Sequence, residues 1–339
     1  MLPSKREYAA LWSARVGFTA LLERLPQRPS LIVLNYHRIG NAEQTPYDPG
    51  TFSATATEFD QQISCLKKRF RLVTLEEAFS FAMGQVSLRH TCVLITFDDG
   101  YLDNYTQAFD ILRAHGVQGV FFLPTYFIGT SHLPWWDVIA YIVKCSQQRQ
   151  IRLEYPTKAV FDLDREDLHS VLRRILMFFK QPAVKDSQRF LWGLEEACGA
   201  SRPGESAERC FLSWQEAQEM QNAGMAFGSH THSHEILSKL PDEQQYEELV
   251  HSRQILENHL KGPVNMLAYP VGAPHTFSSS TISALRRAGY RAAFSHYGGL
   301  NLVGHTDAFN IRRRAVDDQS LHHLRLQTAL GAVTGSHWL

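Results

Sequence analysis

Short runs of consecutive apolar residues alternate with longer amphipathic stretches along most of this chain. Residues 31–34 and 92–97 are apolar runs of the kind found in buried strands. Residues 57–69 and 104–115 instead place their apolar side chains at helical spacing. Strand, helix and strand in this order predict parallel strands joined by helices, in an α/β sheet or barrel.

The alternation is interrupted between residues 131 and 210 and then resumes. Two helix-like stretches in this interval are separated by charged, polar and Pro/Gly-containing segments. We therefore predict a largely helical insertion over residues 131–210, of the kind that can form a lid, within one domain spanning residues 31–339.

Residues 1–30 form a predicted N-terminal amphipathic helical segment. The side chains expected on its apolar face are Leu11, Trp12, Val16, Phe18, Leu21 and Leu22. We favour a helix that docks on the domain through this face. The alternative is an interfacial helix that rests on a membrane, where Lys5, Arg6 and Arg15 would suit anionic lipid.

Composition narrows the choice of partners and compartment. Lys+Arg and Asp+Glu both number 34, so the balanced charge gives no electrostatic reason to expect a nucleic-acid partner. The five cysteines include no C-x-x-C pair, which favours free thiols in a reducing compartment. No apolar stretch approaches the roughly 20 residues of a membrane span, and charges interrupt the N-terminal apolar pattern that a signal peptide would need. We expect a cytoplasmic protein, with a peripheral position at the inner membrane face as the alternative.

Two fragments carry candidate chemistry. Asp98 and Asp99 follow a predicted strand, and His230 and His234 lie four residues apart after another. Each fragment alone is compatible with a plain turn or a surface loop. Together, two imidazoles and one carboxylate provide three ligands for a divalent metal and leave a position for water, while the second carboxylate could take a proton. If the histidines occupied one helical turn, both rings would lie on one face.

The ligand set favours Zn²⁺ but would also accept Co²⁺, Ni²⁺ or Mn²⁺. The other common catalytic signatures, G-x-S-x-G, G-x-x-x-x-G-K-[ST], H-E-x-x-H and G-x-G-x-x-G, are missing from the sequence. The sequence therefore gives no support for a serine hydrolase, a P-loop enzyme or a dinucleotide-dependent enzyme.

The combination of Thr96-Phe97-Asp98-Asp99-Gly100 with His230-Thr231-x-x-His234 resembles the polysaccharide deacetylases of the NodB-homology group, carbohydrate esterase family 4. The resemblance extends from about residue 31 to the C-terminus and is closest to a bacterial subgroup involved in surface-polysaccharide biosynthesis. It implies a distorted (β/α)₇ barrel with a metal at the carboxyl ends of the strands. It also implies that Asp99, His230 and His234 bind the metal and that Asp98 is the general base.

The resemblance implies further roles around the site. Thr231 would support the site by hydrogen bonding, and Tyr269, Pro270 and Val271 would line an acyl pocket, with a backbone N–H near Val271 stabilising the oxyanion. Trp136 would either stack on a sugar ring or anchor the insertion.

Two departures from the family pattern stand out. Ala268-Tyr269-Pro270-Val271 lacks the arginine that orients the base, so we expect a guanidinium from Arg313, with Arg312 and Arg314 as alternatives. The late motif that carries the general acid is also missing, which leaves His37, His275 and His296 as candidates; His37 also counts among the expected substrate contacts.

The sequence thus predicts a metal-dependent hydrolase of C–N bonds other than peptide bonds. Its expected substrate is an acylated amino sugar in a polysaccharide or a lipid-linked glycan precursor. One alternative is an ester or formamide deacylase on the same fold, and another is a glycan-binding relative without turnover.

Overall fold

The computed structural model describes residues 5–204, 209–317 and 320–334. The chain divides into two compact units. The first comprises Met1–Asn41, Thr51–Gly129 and Phe211–Leu339, and the second comprises Ala42–Gly50 and Thr130–Cys210. None of the helices within the described ranges is long and apolar enough to cross a membrane.

The elements alternate along the chain much as the hydrophobic pattern predicts. The strands are β1 (Ser30–Tyr36), β2 (Arg38–Ile39), β3 (Phe52–Ala54), β4 (Arg71–Leu72), β5 (Cys92–Asp98), β6 (Gly119–Leu123), β7 (Gln150–Leu153), β8 (Ala159–Asp162), β9 (Ala226–Ser229), β10 (Met266–Ala268), β11 (Ala292–Ser295), β12 (Asn301–Leu302), β13 (Ile311–Arg312) and β14 (Arg314–Ala315). The helices are α1 (Lys5–Arg15), α2 (Phe18–Leu22), α3 (Ala56–Arg69), α4 (Leu75–Ala82), α5 (Asp110–His115), α6 (Trp135–Lys144), α7 (Leu168–Lys180), α8 (Ser187–Cys198), α9 (Trp214–Asn222), α10 (Asp242–His259), α11 (Ser279–Arg287) and α12 (Leu321–Thr334).

The first unit is built around a nearly closed barrel of mostly parallel strands. The strand order is β12-β1-β5-β6-β9-β10-β11-β13, and only β12 runs antiparallel to its neighbour. β13 pairs with β11, while β14, one residue further along, pairs with β1 at the other side of the sheet. The last strand therefore bridges the two edges and closes the barrel, with Arg313 at the break between its halves. This architecture confirms the predicted (β/α)₇ barrel.

Local sequence signals explain where several helices begin. Thr74 and Glu77 form a reciprocal capping box at the start of α4, and Ser213 and Glu216 form another at the start of α9. Each box satisfies backbone N–H groups that the first helical turn leaves without partners. The sequence therefore specifies these helix boundaries directly.

The barrel interior is filled by side chains from alternate positions of the parallel strands. Val33, Leu94 and Phe122 are fully buried, and Phe122 contacts Phe294 at a ring distance of 5.2 Å. A parallel sheet buried on both faces needs such continuous apolar strands, which is why these strands appear as unbroken apolar runs in the sequence. Burial of a large apolar side chain stabilises the fold by about 1.5–3 kcal/mol.

The second unit has its own core. Trp135 stacks on Phe179 at 4.4 Å, and Phe179 meets Phe190 edge to face. The unit contains α6, α7 and α8, but β7 and β8 add an antiparallel hairpin, so it is less purely helical than predicted. It also includes Ala42–Gly50, which the sequence pattern did not assign to it.

The N-terminal helices α1 and α2 pack against α12 through small residues. Ala10, Ser13 and Thr19 are buried, and the Ser13 and Thr19 hydroxyls are 2.8 Å apart. Of the six side chains expected on a docking face, Trp12, Val16, Phe18 and Leu21 are instead exposed, and only Leu22 is buried. The prediction that the helix docks through its large apolar residues is therefore wrong.

Candidate metal centre and its surroundings

The two candidate fragments meet at the carboxyl edge of the barrel. Asp98 is the last residue of β5, and Ser229, the last residue of β9, immediately precedes His230. The strand between them, β6, pairs Phe122 with Asp98 and Leu123 with Ser229. In-register parallel strands end at one level, so the carboxylates and imidazoles converge although they are far apart in sequence.

Asp99, His230 and His234 form a compact group of potential metal ligands. The Nε2 atoms of the two histidines are 3.2 Å apart, and Asp99 Oδ1 lies 3.6 Å from His230 Nε2 and 3.4 Å from His234 Nε2. Ligand atoms bound at about 2.0–2.1 Å around a tetrahedral zinc ion are separated by roughly 3.3 Å. The three atoms therefore fit three corners of such a site.

The backbone adopts rare conformations at this site. Asp99, Thr231, His234 and Val271 are the only non-glycine residues with positive φ in the part of the chain that the structure describes, at 73°, 66°, 61° and 61°. Such conformations persist only where the surrounding structure enforces them, and they cluster at functional sites. The positive φ at Asp99 turns the chain directly after β5, so that two consecutive carboxylates reach one region.

The histidines are not on a helix, contrary to the sequence-based suggestion. Residues 230–234 form a loop, and the rings meet because Thr231 and His234 both have positive φ. The loop is held by the Thr231 hydroxyl, which accepts a 3.1 Å hydrogen bond from His234 N–H. Thr231 is completely buried, which supports the predicted role in organising the site and argues against direct contact with a substrate.

Both imidazoles are held in the neutral form, which is the form that binds a metal. Burial lowers the pKa of His230 to about 4, although the Asp98 carboxylate opposes this shift. Burial, together with the charge of His230, holds the pKa of His234 well below its ordinary value. His230 Nδ1 lies 2.7 Å from the carbonyl oxygen of Ala268. Donation of the Nδ1 proton to this carbonyl leaves Nε2 as the ligand atom.

Asp98 is held by a buried hydrogen-bond network. Arg313 Nη1 and Nη2 donate to Asp98 Oδ1 and Oδ2, both at 2.7 Å, and Asn35 Nδ2 donates to Oδ2 at 3.0 Å. Arg313 also donates to Asn35 Oδ1 and to the Ser295 carbonyl oxygen. Burial alone would raise the pKa of Asp98, but the charges of Arg313 and His230 outweigh it and keep the pKa well below its usual range. Asp98 is therefore ionised and fixed in orientation.

Of the three candidate arginines, the structure brings only Arg313 to Asp98. The Arg312 guanidinium lies over the Tyr297 ring, and Arg314 Nη1 donates to the carbonyl oxygen of Gln327. Asn35 was missed by sequence reasoning. A buried asparagine near the end of an otherwise apolar strand was the signal that could have indicated it.

A second residue missed from the sequence is Glu248 on α10. Its carboxylate accepts hydrogen bonds from the backbone N–H groups of His232 and Ser233 at 3.0 and 2.8 Å, and from the Ser233 hydroxyl at 2.7 Å. These two residues lie between the histidine ligands, so Glu248 fixes the loop that presents both rings. Nothing in the local sequence distinguishes Glu248 from the other acidic residues of α10.

The Tyr269–Gly272 segment forms a tight turn after β10. Gly272 N–H donates to the Pro270 carbonyl oxygen at 2.7 Å, with Val271 at positive φ between them. A Cβ at position 272 would lie 2.6 Å from His296 N, so only glycine permits this approach. Tyr269 is 1% exposed and donates its hydroxyl to the Phe309 carbonyl oxygen. Its expected place in the lining of an acyl pocket stays a prediction.

The histidines considered as general acids differ in their distance from the candidate metal centre. His37 directly follows β1, whose Asn35 donates to Asp98, and the charge of His37 makes a minor contribution that lowers the pKa of Asp98, His230 and His234. Its ring lies 5.7 Å from that of His296. His275 is exposed, and its carbonyl oxygen accepts a hydrogen bond from Ser238.

Trp136 belongs to the second unit. It is only 5% exposed and packs edge to face against Trp135. A sugar needs an open aromatic face for stacking, so the burial of Trp136 argues against the sugar contact.

Comparison with known proteins identifies the family. A family model described as polysaccharide deacetylase matches residues 85–155 and 161–293, which together are more than half of the chain. The chain belongs to the polysaccharide deacetylase family. This confirms the resemblance drawn from the two motifs, both of which lie within the matched residues. Hydrolytic deacetylation is the activity that defines the family.

Individual relatives of this chain are distant. YxkH of Bacillus subtilis (strain 168) is 22% identical over 264 residues, which are 77% of this chain and 62% of YxkH. The chain thus spans about three fifths of the length of that curated relative. IcaB from Ammonifex degensii superposes with a TM-score of 0.58 at 20% identity, covering 88% of this chain and 97% of IcaB. The Streptococcus pyogenes deacetylase PplD, solved with acetate, gives 0.56 at 16% identity, covering 87% and 97%. These structural likenesses establish the fold.

Proposed function

We propose that this protein is a metal-dependent N-deacetylase that acts on an acylated amino sugar of a polysaccharide or a lipid-linked glycan precursor. The observation that carries the proposal is the ionised Asp98, fixed by Arg313 and Asn35, beside the three ligand atoms of Asp99, His230 and His234. The family supports deacetylation, and the ligand set supports a divalent metal, for which we propose Zn²⁺, with Co²⁺, Ni²⁺ or Mn²⁺ as alternatives.

The reaction consists of attack by water on the acyl carbon followed by cleavage of the C–N bond. A divalent metal held by Asp99, His230 and His234 would supply Lewis-acid polarisation and lower the pKa of water. Asp98 takes a proton from the attacking water, and the water oxygen adds to the acyl carbon. The C–N bond then breaks, the nitrogen gains a proton, and the products are acetate and a free amine. Arg313 keeps Asp98 ionised before the proton transfer and holds its orientation.

His37 is the proposed donor of the proton that the leaving nitrogen receives. It is the candidate whose charge acts on all of Asp98, His230 and His234. Its position is fixed because Asn104 donates to the His37 carbonyl oxygen and Ser53 accepts from its N–H. Substitution His37→Gln should lower kcat/KM by about 10²-fold, whereas the exposed His275→Gln should leave it unchanged.

The turn at Pro270 and Val271 is proposed to line the acyl pocket. Its approach to the His296 backbone brings the end of β10 towards that histidine, which is next to His37. A backbone N–H of this turn, near Val271, would stabilise the oxyanion of the reacting acyl group. We retain a cytoplasmic location as part of the proposal, with a peripheral position at the inner membrane face as the alternative.

The proposal is tested with the purified protein, zinc and chito-oligosaccharides as N-acetylated probes. We expect acetate release from the wild type and a decrease in kcat of about 10²–10⁴-fold in Asp98→Asn, with metal content unchanged. Release of acetate only from O-acetylated sugars, or of formate from N-formyl sugars, would replace N-deacetylation with the alternative deacylase chemistry. Glycan binding without release, equal in wild type and Asp98→Asn, would identify a non-catalytic binding protein.

A further inference from the structure

Large apolar side chains are concentrated on the surface of the N-terminal helices. Six of the 13 exposed large hydrophobic side chains in the described ranges lie between residues 8 and 25. They are Tyr8, Trp12, Val16, Phe18, Leu21 and Leu25, each between 40% and 69% exposed, and we call them the N-terminal apolar patch. Single exposed apolar residues are ordinary, but a cluster of this kind marks an interaction surface.

The patch follows the helical repeat. Tyr8, Trp12 and Val16 are spaced by four residues along α1 and its last turn, where Val16 N–H donates to the Trp12 carbonyl oxygen. Residues at this spacing lie on one helix face. The opposite face of α1 carries the small buried residues Ala10 and Ser13. The small side chains of α1 therefore face the rest of the protein, and its large apolar side chains face solvent.

The helices that carry the patch are attached to α12 and α3. Glu7 accepts a hydrogen bond from the Ser320 N–H and lies 3.1 Å from His323 Nδ1. Glu23 forms ion pairs with Arg325 and Arg69 at 2.9 and 2.8 Å. The helices are therefore packed on the rest of the protein, and the patch is exposed in that packed state.

The charges around the patch have one sign. The segment from residue 5 to 29 contains two acidic residues, Glu7 and Glu23, and both bond inward to the barrel. Its basic residues, all of them exposed, are Lys5, Arg6, Arg15, Arg24 and Arg28. The surface offered to a partner is therefore apolar and cationic.

We propose that the N-terminal apolar patch docks this protein on an anionic lipid bilayer. Apolar side chains, tryptophan included, enter the headgroup boundary, while lysine and arginine pair with lipid phosphates. A second copy of the chain is a poorer occupant, because a two-fold interface would bring the same five basic residues against each other. The lipid interaction is independent of the proposed catalysis, since it uses none of the residues of the metal centre.

The experiment is flotation of the full chain with vesicles of phosphatidylglycerol and phosphatidylcholine, and with vesicles of phosphatidylcholine alone. We expect binding to the anionic vesicles that weakens as salt is added. The triple variant Trp12→Ser, Val16→Ser, Leu21→Ser should bind at least about tenfold more weakly. Arg15→Gln should weaken binding by roughly fivefold, because one basic residue near the surface contributes about that factor.

A matched control uses equally exposed apolar residues elsewhere. Met177 and Trp192 are 61% and 62% exposed on the second unit, and Met177→Ser with Trp192→Ser should leave vesicle binding unchanged. If the triple variant does not fold, quenching of wild-type tryptophan fluorescence by brominated acyl chains provides a second measurement. We expect this quenching to fall in Trp12→Phe.

Three results would overturn the proposal. They are no flotation of the wild type with anionic vesicles, equal flotation of the folded triple variant, and equal quenching in wild type and Trp12→Phe. Light scattering that shows a dimer in the wild type and a monomer in the triple variant would instead assign the patch to a second copy of this chain.

Discussion

The pair of Asp98 and Arg313 should show strong thermodynamic coupling. Both side chains are at most 2% exposed, and two 2.7 Å hydrogen bonds join them. Removal of one partner of a buried ion pair leaves the other charge without compensation, which costs about 3–5 kcal/mol. We therefore expect Arg313→Met to lower the free energy of unfolding by this amount.

The double variant should lose less free energy of unfolding than the sum of the losses in the two single variants. Once Asp98→Asn has removed the carboxylate charge, Arg313→Met no longer leaves an uncompensated anion. We expect the effects of the two substitutions to deviate from additivity by about 2 kcal/mol. The assay is urea unfolding in the presence of a chelator, so that metal binding does not contribute to the free energies.

Arg314 provides a matched control for this double-mutant cycle of Asp98 and Arg313. Its guanidinium is also buried, at 9% exposure, but it donates to the Gln327 carbonyl oxygen and not to a carboxylate. Arg314→Met should therefore be additive with Asp98→Asn to within about 0.5 kcal/mol. If Arg313→Met proves equally additive, the argument that a buried charge pair fixes Asp98 is wrong.

Three further predictions follow from the site and its supports. His230→Ala should reduce bound metal from near one equivalent to background in elemental mass spectrometry, and retention of the metal would refute the ligand assignment. Glu248→Ala should weaken metal binding by about 10–100-fold because the ligand loop loses its support, whereas the exposed neighbour Glu247→Ala should have no effect in a metal titration. Among the thiols, exposed Cys145 should react quickly with a thiol reagent, while Cys198, whose pKa burial raises to about 11, should react only on unfolding; equal rates would contradict the packing of the second unit.

Some features of this protein depend on residues that are close in the chain, and others depend on residues that only the fold brings together. The strand ends, the capping boxes and the ligand motifs were predictable because each depends on residues that are close in the chain. Asp98 and Asp99 are adjacent, and His230 and His234 are four residues apart, and the two fragments together indicated a metal site. The barrel followed from the alternation of apolar strands with helices.

The surroundings of Asp98, the proposed general base, depended on the tertiary structure. Arg313 is 215 residues from Asp98, and Asn35 is 63 residues away on a different strand. Three consecutive arginines were equivalent in the sequence. Closure of the barrel by β13 and β14 places Arg313 at the strand break, where its side chain reaches Asp98. Glu248 was likewise indistinguishable from its acidic neighbours until α10 packed beside the histidine loop.

The sequence by itself determined most of the elements and the fold class, because hydrophobic periodicity is a local property. Its short motifs indicated Asp99, His230 and His234 as candidate metal ligands. Only the tertiary structure decided which arginine holds Asp98 and which side of the N-terminal helices faces solvent. Periodicity shows that a helix has an apolar face, but burial of that face depends on the shape and charge of the surface opposite. Here Glu7 and Glu23 fix the small residues of these helices against the barrel, which leaves Trp12 and its neighbours exposed.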